Sequence, residues 1–82
     1  MGVPYYDNPG GQLSVKVELQ HVADVYLVDQ VNFNARKRGK NFRYYGGNYS
    51  HTPVTITVNG AGRWYLIVDN GSGEQYRYTW SK

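Results

Sequence analysis

Strict alternation of apolar and polar residues governs this chain. Leu13, Val15, Val17 and Leu19 alternate with Ser14, Lys16, Glu18 and Gln20. Val54, Ile56 and Val58 alternate with Thr55 and Thr57, and Tyr76, Tyr78 and Trp80 with Arg77 and Thr79. A two-residue period places apolar side chains on one face of a strand and leaves the other face wet. A helix cannot satisfy that pattern, so each run reads as a half-buried strand. Two further runs are denser, Asp24–Val28 and Trp64–Asp69, and the second reads as a central strand covered on both sides.

Composition agrees with the pattern. Ten Val, two Ile and four Thr outnumber four Leu and three Ala, a balance that favours strands over helices. With 82 residues the chain has room for one core and one domain, spanning 1–82. That excludes a multidomain enzyme and a doubly wound nucleotide-binding fold. The absence of Cys excludes a disulfide scaffold and a thiolate metal site. No apolar run reaches the length of a membrane span, and no signal peptide pattern opens the chain. Cytoplasm is the expected compartment.

Punctuation orders the strands. Residues 1–12, with Pro4, Pro9, Gly10 and Gly11, read as an irregular lead-in, tethered by Tyr5 and Tyr6. The strands at 13–19 and 24–28 are expected to form an antiparallel hairpin. Asp29 is placed to cap a short helix over 29–38, with Val31 and Ala35 on one face and Phe33 pointing inward as its anchor. Arg36, Lys37 and Arg38 then complement the negative end of the helix dipole, and Gly39 closes it. Phe42–Tyr45 reads as a short strand closed by Gly46-Gly47, with 48–52 as loop. The turn signals Asn59-Gly60-Ala61-Gly62 and Asn70-Gly71-Ser72-Gly73 predict a C-terminal three-strand meander. The fold class is therefore mainly all-β: a small antiparallel β-sandwich or partly open barrel of about six to eight strands with one short helix.

Charge is segregated along the chain. The formal net charge is +3, yet no acidic residue lies between positions 30 and 68. That segment holds Arg36, Lys37, Arg38, Lys40, Arg43 and Arg63, while the remainder sums to −3. Five cations between positions 36 and 43 suit an anion such as a phosphate, a nucleic acid backbone or an acidic protein face. A solvated helix end balanced by acids from elsewhere in the fold is the alternative. Phe42, Tyr44, Tyr45, Tyr49 and His51 interleave with this run, and stacking rings beside cations are what single-stranded nucleic acid requires. Tyr45 and Tyr49, next to the glycine pair, are the candidate stacking rings. Tyr44, Tyr76 and Tyr78 read as core and rim. The candidate ligand-binding set is thus Arg36, Lys37, Arg38, Lys40, Arg43, Tyr45 and Tyr49.

Catalytic and metal patterns are weak by comparison. Ser50-His51 are only neighbours, and successive strand residues face opposite ways. His21 and His51 lack ligand spacing, and 69–74 lacks that of a calcium loop. Asp24, Asp29 and Asp69 could still converge in space. No cofactor is implied.

One set of segments resembles a small bacterial family of unknown function. It comprises Asp24–Asp29, Asn32-Phe33, the basic run to Gly39, Phe42-Arg43-Tyr44-Tyr45-Gly46-Gly47 and Gly62–Asp69. That family occurs alone and beside TIR signalling domains, and the resemblance covers about residues 13–80. It implies a compact β-sandwich or barrel with a short helix between early strands, and a sensor or interaction module. No binding residue comes with it. A looser likeness to β-sandwich modules appended to secreted peptidases reads as convergence on the same architecture. The expected function is a non-catalytic binding module for a polyanion, nucleotide or acidic protein face. An oligomerisation module built on edge strands and a carbohydrate-binding module are the alternatives.

Overall fold

The alternating runs become strands whose apolar faces meet. The computed structural model describes residues 3–69 and 76–82. Among them, seven strands and one helix follow in the order β1 (Tyr5–Asn8), β2 (Gln12–Glu18), β3 (Ala23–Asp29), α1 (Gln30–Lys37), β4 (Tyr45–Tyr49), β5 (Val54–Asn59), β6 (Gly62–Asp69) and β7 (Arg77–Ser81). They form two open antiparallel sheets, β1-β6-β3-β4 and β5-β2-β7. The architecture is a sandwich of four strands on three, not a closed barrel.

Leu13, Val15 and Val17 of β2 and Val54, Ile56 and Val58 of β5 supply one wall of the core. Val25 and Leu27 of β3 and Trp64 and Leu66 of β6 supply the other. Each fully buried Val or Leu stabilises the fold by about 1.5–3 kcal/mol relative to exposure. The two-residue period has thus selected the inner face in both sheets.

The dense runs differ from the alternating ones because their outer faces are covered too. Trp64, Tyr65, Leu66 and Ile67 are all buried in β6. Val28, Tyr65 and Ile67 form a second apolar cluster on the outer face, joined by Tyr26, Phe33 and Phe42. Helix α1 provides the cover. Phe33 stacks on Tyr65 with ring centroids 3.8 Å apart and planes 6° from parallel. The Tyr65 hydroxyl donates to Gln30 Oε1 at 2.8 Å, so both ends of the ring are held.

Asp29 caps α1 as its position predicts, its Oδ1 accepting from the Asn32 backbone N–H at 2.9 Å. Gly39 takes the left-handed conformation, with φ of 71°, that a side chain would disfavour after the last turn. Phe33 does anchor the helix, but against the outer face instead of the inter-sheet core. The expected partner face fails, because Val31 is 76% exposed.

Three expectations about chain path are corrected. Residues 5–8 are not irregular: β1 pairs with β6, Tyr5 opposite Tyr65 and Asn8 opposite Gly62. A neighbour provided by β6 overrides the local Pro and Gly signals on either side. The strands β2 and β3 are not a hairpin, since they lie in different sheets. The link between them crosses the sandwich, which lets both strands point their apolar rows into one core. The C-terminal meander fails for the same reason: β5 and β7 flank β2, whereas β6 lies in the opposite sheet. The turn expected at 70–73 lies outside the described residues.

A fourth correction concerns the glycine pair. Residues 41–44 are not strand, and β4 begins at Tyr45 and runs through both glycines to Tyr49. Gly46 has φ of 141°, and a Cβ there would overlap the Val25 carbonyl oxygen and stand 2.8 Å from Tyr26 Cα. Its role is a close approach of two backbones. Gly47 has no atom within 4 Å of such a position.

At one end of the sandwich a buried amide gathers several segments. Asn8 Nδ2 donates to the carbonyls of Gly11 at 3.0 Å and Gly60 at 2.8 Å. Trp64 Nε1 donates to the same Gly60 carbonyl at 3.1 Å. Lys82 Nζ donates to Asn8 Oδ1 and, at 2.8 Å, to the Gly10 carbonyl. Two turns, β1 and residue 82 are thus tied through one side chain.

Candidate functional site

The outer face of the four-stranded sheet changes character along its length. Strand parity puts Asp24, Tyr26 and Val28 of β3 outward, beside Asp69, Ile67 and Tyr65 of β6. Helix α1 covers the Val28–Tyr65 end. The Tyr26 level is left to rings from the loop that follows the helix.

That loop is held by a short relay of hydrogen bonds. Asp29 Oδ1 accepts from Asn32 Nδ2 at 2.8 Å, and Asn32 Oδ1 accepts from the Arg43 backbone N–H at 2.7 Å. The helix cap thereby also fixes the returning chain. With Arg43 pinned, Phe42 and Tyr44 on either side of it both reach Tyr26. Ring centroids are 6.2 Å apart for Tyr26–Phe42, 5.2 Å for Tyr26–Tyr44 and 5.8 Å for Phe42–Tyr44. These separations lie in the range of favourable aromatic pairs.

Two hollows open beside this trio and share Phe42. One, of about 220 Å³, is lined by Asp24, Tyr26, Phe42, Tyr44 and Gly47. The other, broad and about 410 Å³, is lined by Asn32, Asn41, Phe42 and Arg43. Tyr44 is 52% exposed, so the rings are reachable from solvent.

The predicted cations lie on the same side. Arg36 and Lys37 occupy the last turn of α1, and Arg38 is its C-terminal cap, its N–H donating to Asn34 and Ala35 carbonyls. The Lys40 N–H donates to the Ala35 carbonyl at 2.9 Å. Arg36, Lys37, Arg38, Lys40 and Arg43 are all exposed. Lys37 Nζ lies 5.4 Å from the Phe33 ring centroid, within cation–π range. Among the described residues none of the five makes an ion pair with a carboxylate. Arg63 differs from them. Its Nε donates to Asp7 Oδ1 at 2.7 Å and its guanidinium lies 4.2 Å from the Tyr5 ring centroid. The hydrogen bond from Arg63 holds the Asp7 carboxyl below its ordinary value, and the same bond raises Arg63 further.

The two candidate stacking rings are placed elsewhere. Tyr45 lies opposite Leu27 and Tyr49 opposite Ala23, on the inner-face side of the sheet edge, where Tyr49 is half-buried and Tyr45 is 55% exposed. Tyr45 meets the Trp64 ring edge-on at 5.9 Å, and Tyr49 packs on the core and against His51. Four residues of strand, roughly 13 Å, separate them along β4. Tyr44, read as core and rim, packs on Tyr26 and Phe42 at the outer face and is 52% exposed. Tyr44 precedes the ladder, so no strand register directs it; its neighbour Arg43 does, through the hydrogen bond to Asn32. Tyr76 packs against the core cluster, and burial raises its phenol above the ordinary range. Tyr78 lies beside it, with centroids 6.1 Å apart.

Of the three aspartates considered for convergence, Asp24 and Asp69 are cross-strand partners. Asp24 Oδ1 accepts from Asn48 Nδ2 at 3.0 Å. Asp29 is at the other end of β3, occupied as the helix cap. Among the described residues no group of three or more His, Asp or Glu is arranged to hold a metal, and no helix is long and apolar enough to cross a membrane.

The fold and this surface define a small two-sheet β module with a basic and aromatic outer face. The chain belongs to the family described as a domain of unknown function, DUF1883, whose model matches residues 10–77. No curated protein and no solved structure matches it.

Proposed function

We propose that this protein is a non-catalytic binding module whose ligand is a polyanion, held by Arg36, Lys37, Arg38, Lys40 and Arg43. The observation that carries the reading is the segregation of charge. Five exposed cations occupy the end of one short helix and the loop after it, without a carboxylate partner among the described residues. Crowded like charges repel, and a bound row of phosphates relieves that repulsion while releasing counterions. The neighbouring aromatic hollow supports a ligand site over a merely solvated surface. The likeness to a bacterial family that also occurs beside TIR domains supports a cytoplasmic setting, with the module as the sensing part of a signalling protein.

Titration calorimetry with inorganic polyphosphate at two salt concentrations tests the reading. The affinity is expected to fall steeply as salt rises. The triple variant Arg36→Ala, Lys37→Ala, Arg38→Ala should keep its circular dichroism spectrum, bind more weakly, and lower the log–log salt slope by about 2–3. A triple variant that binds polyphosphate as tightly as the unmodified protein refutes it.

A further inference from the structure

We infer that the hollow walled by Tyr26, Phe42 and Tyr44 is a stacking site for one base of a single-stranded nucleic acid. The inference rests on the polyanion reading above and assigns the ligand class. It moves the stacking function from Tyr45 and Tyr49 to three rings on the opposite face of the sheet.

Size is the first argument. Sites for drug-sized ligands enclose roughly 300–1,000 Å³, and the aromatic hollow is about 220 Å³, room for a single flat ring. It is not isolated, since Phe42 also walls the wider hollow that holds Arg43, Asn32 and Asn41. A base against Tyr26 and Tyr44 therefore has its own sugar and phosphate directed to the Arg43 side.

Charge sets that direction. Asp24 lines the far end of the aromatic hollow, with Asp69 opposite it across the ladder. These carboxylates repel phosphate, and Asp24 suits the amino edge of a base, which donates hydrogen bonds. The site thus runs from an acidic end through rings to a basic end, the polarity of a nucleotide from base edge to phosphate. Further cations continue from Arg43 through Lys40 and Arg38 to the last turn of α1, with Lys37 and Arg36. Five cations exceed the charge of one phosphate and call for a strand.

Stiffness is the third argument. The rings are positioned by the Asp29–Asn32–Arg43 relay and by the packing of Tyr26 and Phe42 on the Val28–Tyr65–Ile67 cluster. A preformed platform loses little side-chain freedom on binding. Tyr44 supplies the accessible stacking face.

The test uses fluorescein-labelled (dC)8 in fluorescence anisotropy, beside polyphosphate and CMP. Tyr44→Ala is expected to weaken (dC)8 binding by about 5- to 150-fold and to leave polyphosphate affinity unchanged. CMP should bind far more weakly than (dC)8. If Tyr44→Ala binds (dC)8 like the unmodified protein while polyphosphate still binds, the ring site is overturned and the polyanion reading stands. If neither (dC)8 nor polyphosphate binds the unmodified protein, both fall. CMP binding as tightly as (dC)8 overturns the strand as ligand. An NMR titration of the unmodified protein keeps the test independent of variant folding. Ring-proton shifts of Tyr26, Phe42 and Tyr44 on adding (dC)8 support the site, and unmoved rings overturn it.

Discussion

Replacing Gly46 with alanine tests the packing that brings β4 against β3. Two costs add at that position. The φ of 141° lies where L-residues are strained, at about 1–3 kcal/mol. The new Cβ would also overlap the Val25 carbonyl oxygen and press on Tyr26 Cα at 2.8 Å. Both obstacles are backbone in a buried central strand, so neither yields by a rotamer change. Relief requires β4 to move off β3 or to change its path. Overpacking that displaces backbone costs about 1–3 kcal/mol, giving a combined destabilisation of roughly 2–6 kcal/mol. At 4–8 °C per kcal/mol for a domain of this size, the melting midpoint should fall by at least about 8 °C. Gly47→Ala is the control, since nothing lies within 4 Å of its Cβ position and its φ is not in the strained region. It should cost under about 1 kcal/mol. Thermal unfolding followed by circular dichroism, with urea unfolding for ΔG, gives both numbers. Equal destabilisation by the two alanines would refute the register of β4 on β3, and with it the placement of Tyr45 and Tyr49 on the inner face.

Two further substitutions examine other supports. Asn32→Ala should cost about 1–2 kcal/mol, because it removes the bond to the Arg43 N–H and one partner of Asp29. Amide hydrogen exchange should then quicken over residues 40–44 while β2 and β5 are unchanged, and uniform exchange across the loop would contradict the relay. Asn8→Ala should cost about 1–3 kcal/mol by removing two hydrogen bonds, to the carbonyls of Gly11 and Gly60. A urea midpoint equal to that of the unmodified protein would show that the knot contributes nothing.

Alternation specified which side of each strand is buried, and it did so without error for β2 and β5. It carried no information on which strand lies alongside. A turn such as Asn59-Gly60-Ala61-Gly62 serves equally to fold a hairpin or to carry the chain across the sandwich. The deciding factor is which sheet needs the next apolar row, a tertiary condition. Helix α1 was legible because Asp29 and Gly39 act locally, through the cap and the left-handed turn. The candidate site was legible in its cations, which are contiguous in sequence. Its rings were not, because a strand that begins at Tyr45 instead of Phe42 leaves Tyr44 outside the ladder, where only the bound Arg43 N–H directs it toward Tyr26. The role of Gly46 was open between a bend and a close approach until the Val25 carbonyl was seen behind it.

The crossing path of the chain has a consequence for the order of events during synthesis. Tyr5 waits for Tyr65, Leu13 for Val58 and Ser14 for Ser81. Only β3 and β4 find each other early, with α1 between them. A nascent chain emerging from the ribosome therefore carries both edges of β2 unpaired until β5, beginning at Val54, has followed. Topologies of this kind fold on millisecond to second timescales, far slower than helical bundles of equal size. The interval before β5 and β6 arrive, with β2 and β3 each lacking a neighbour, is when unpaired edges leave the chain most exposed to aggregation.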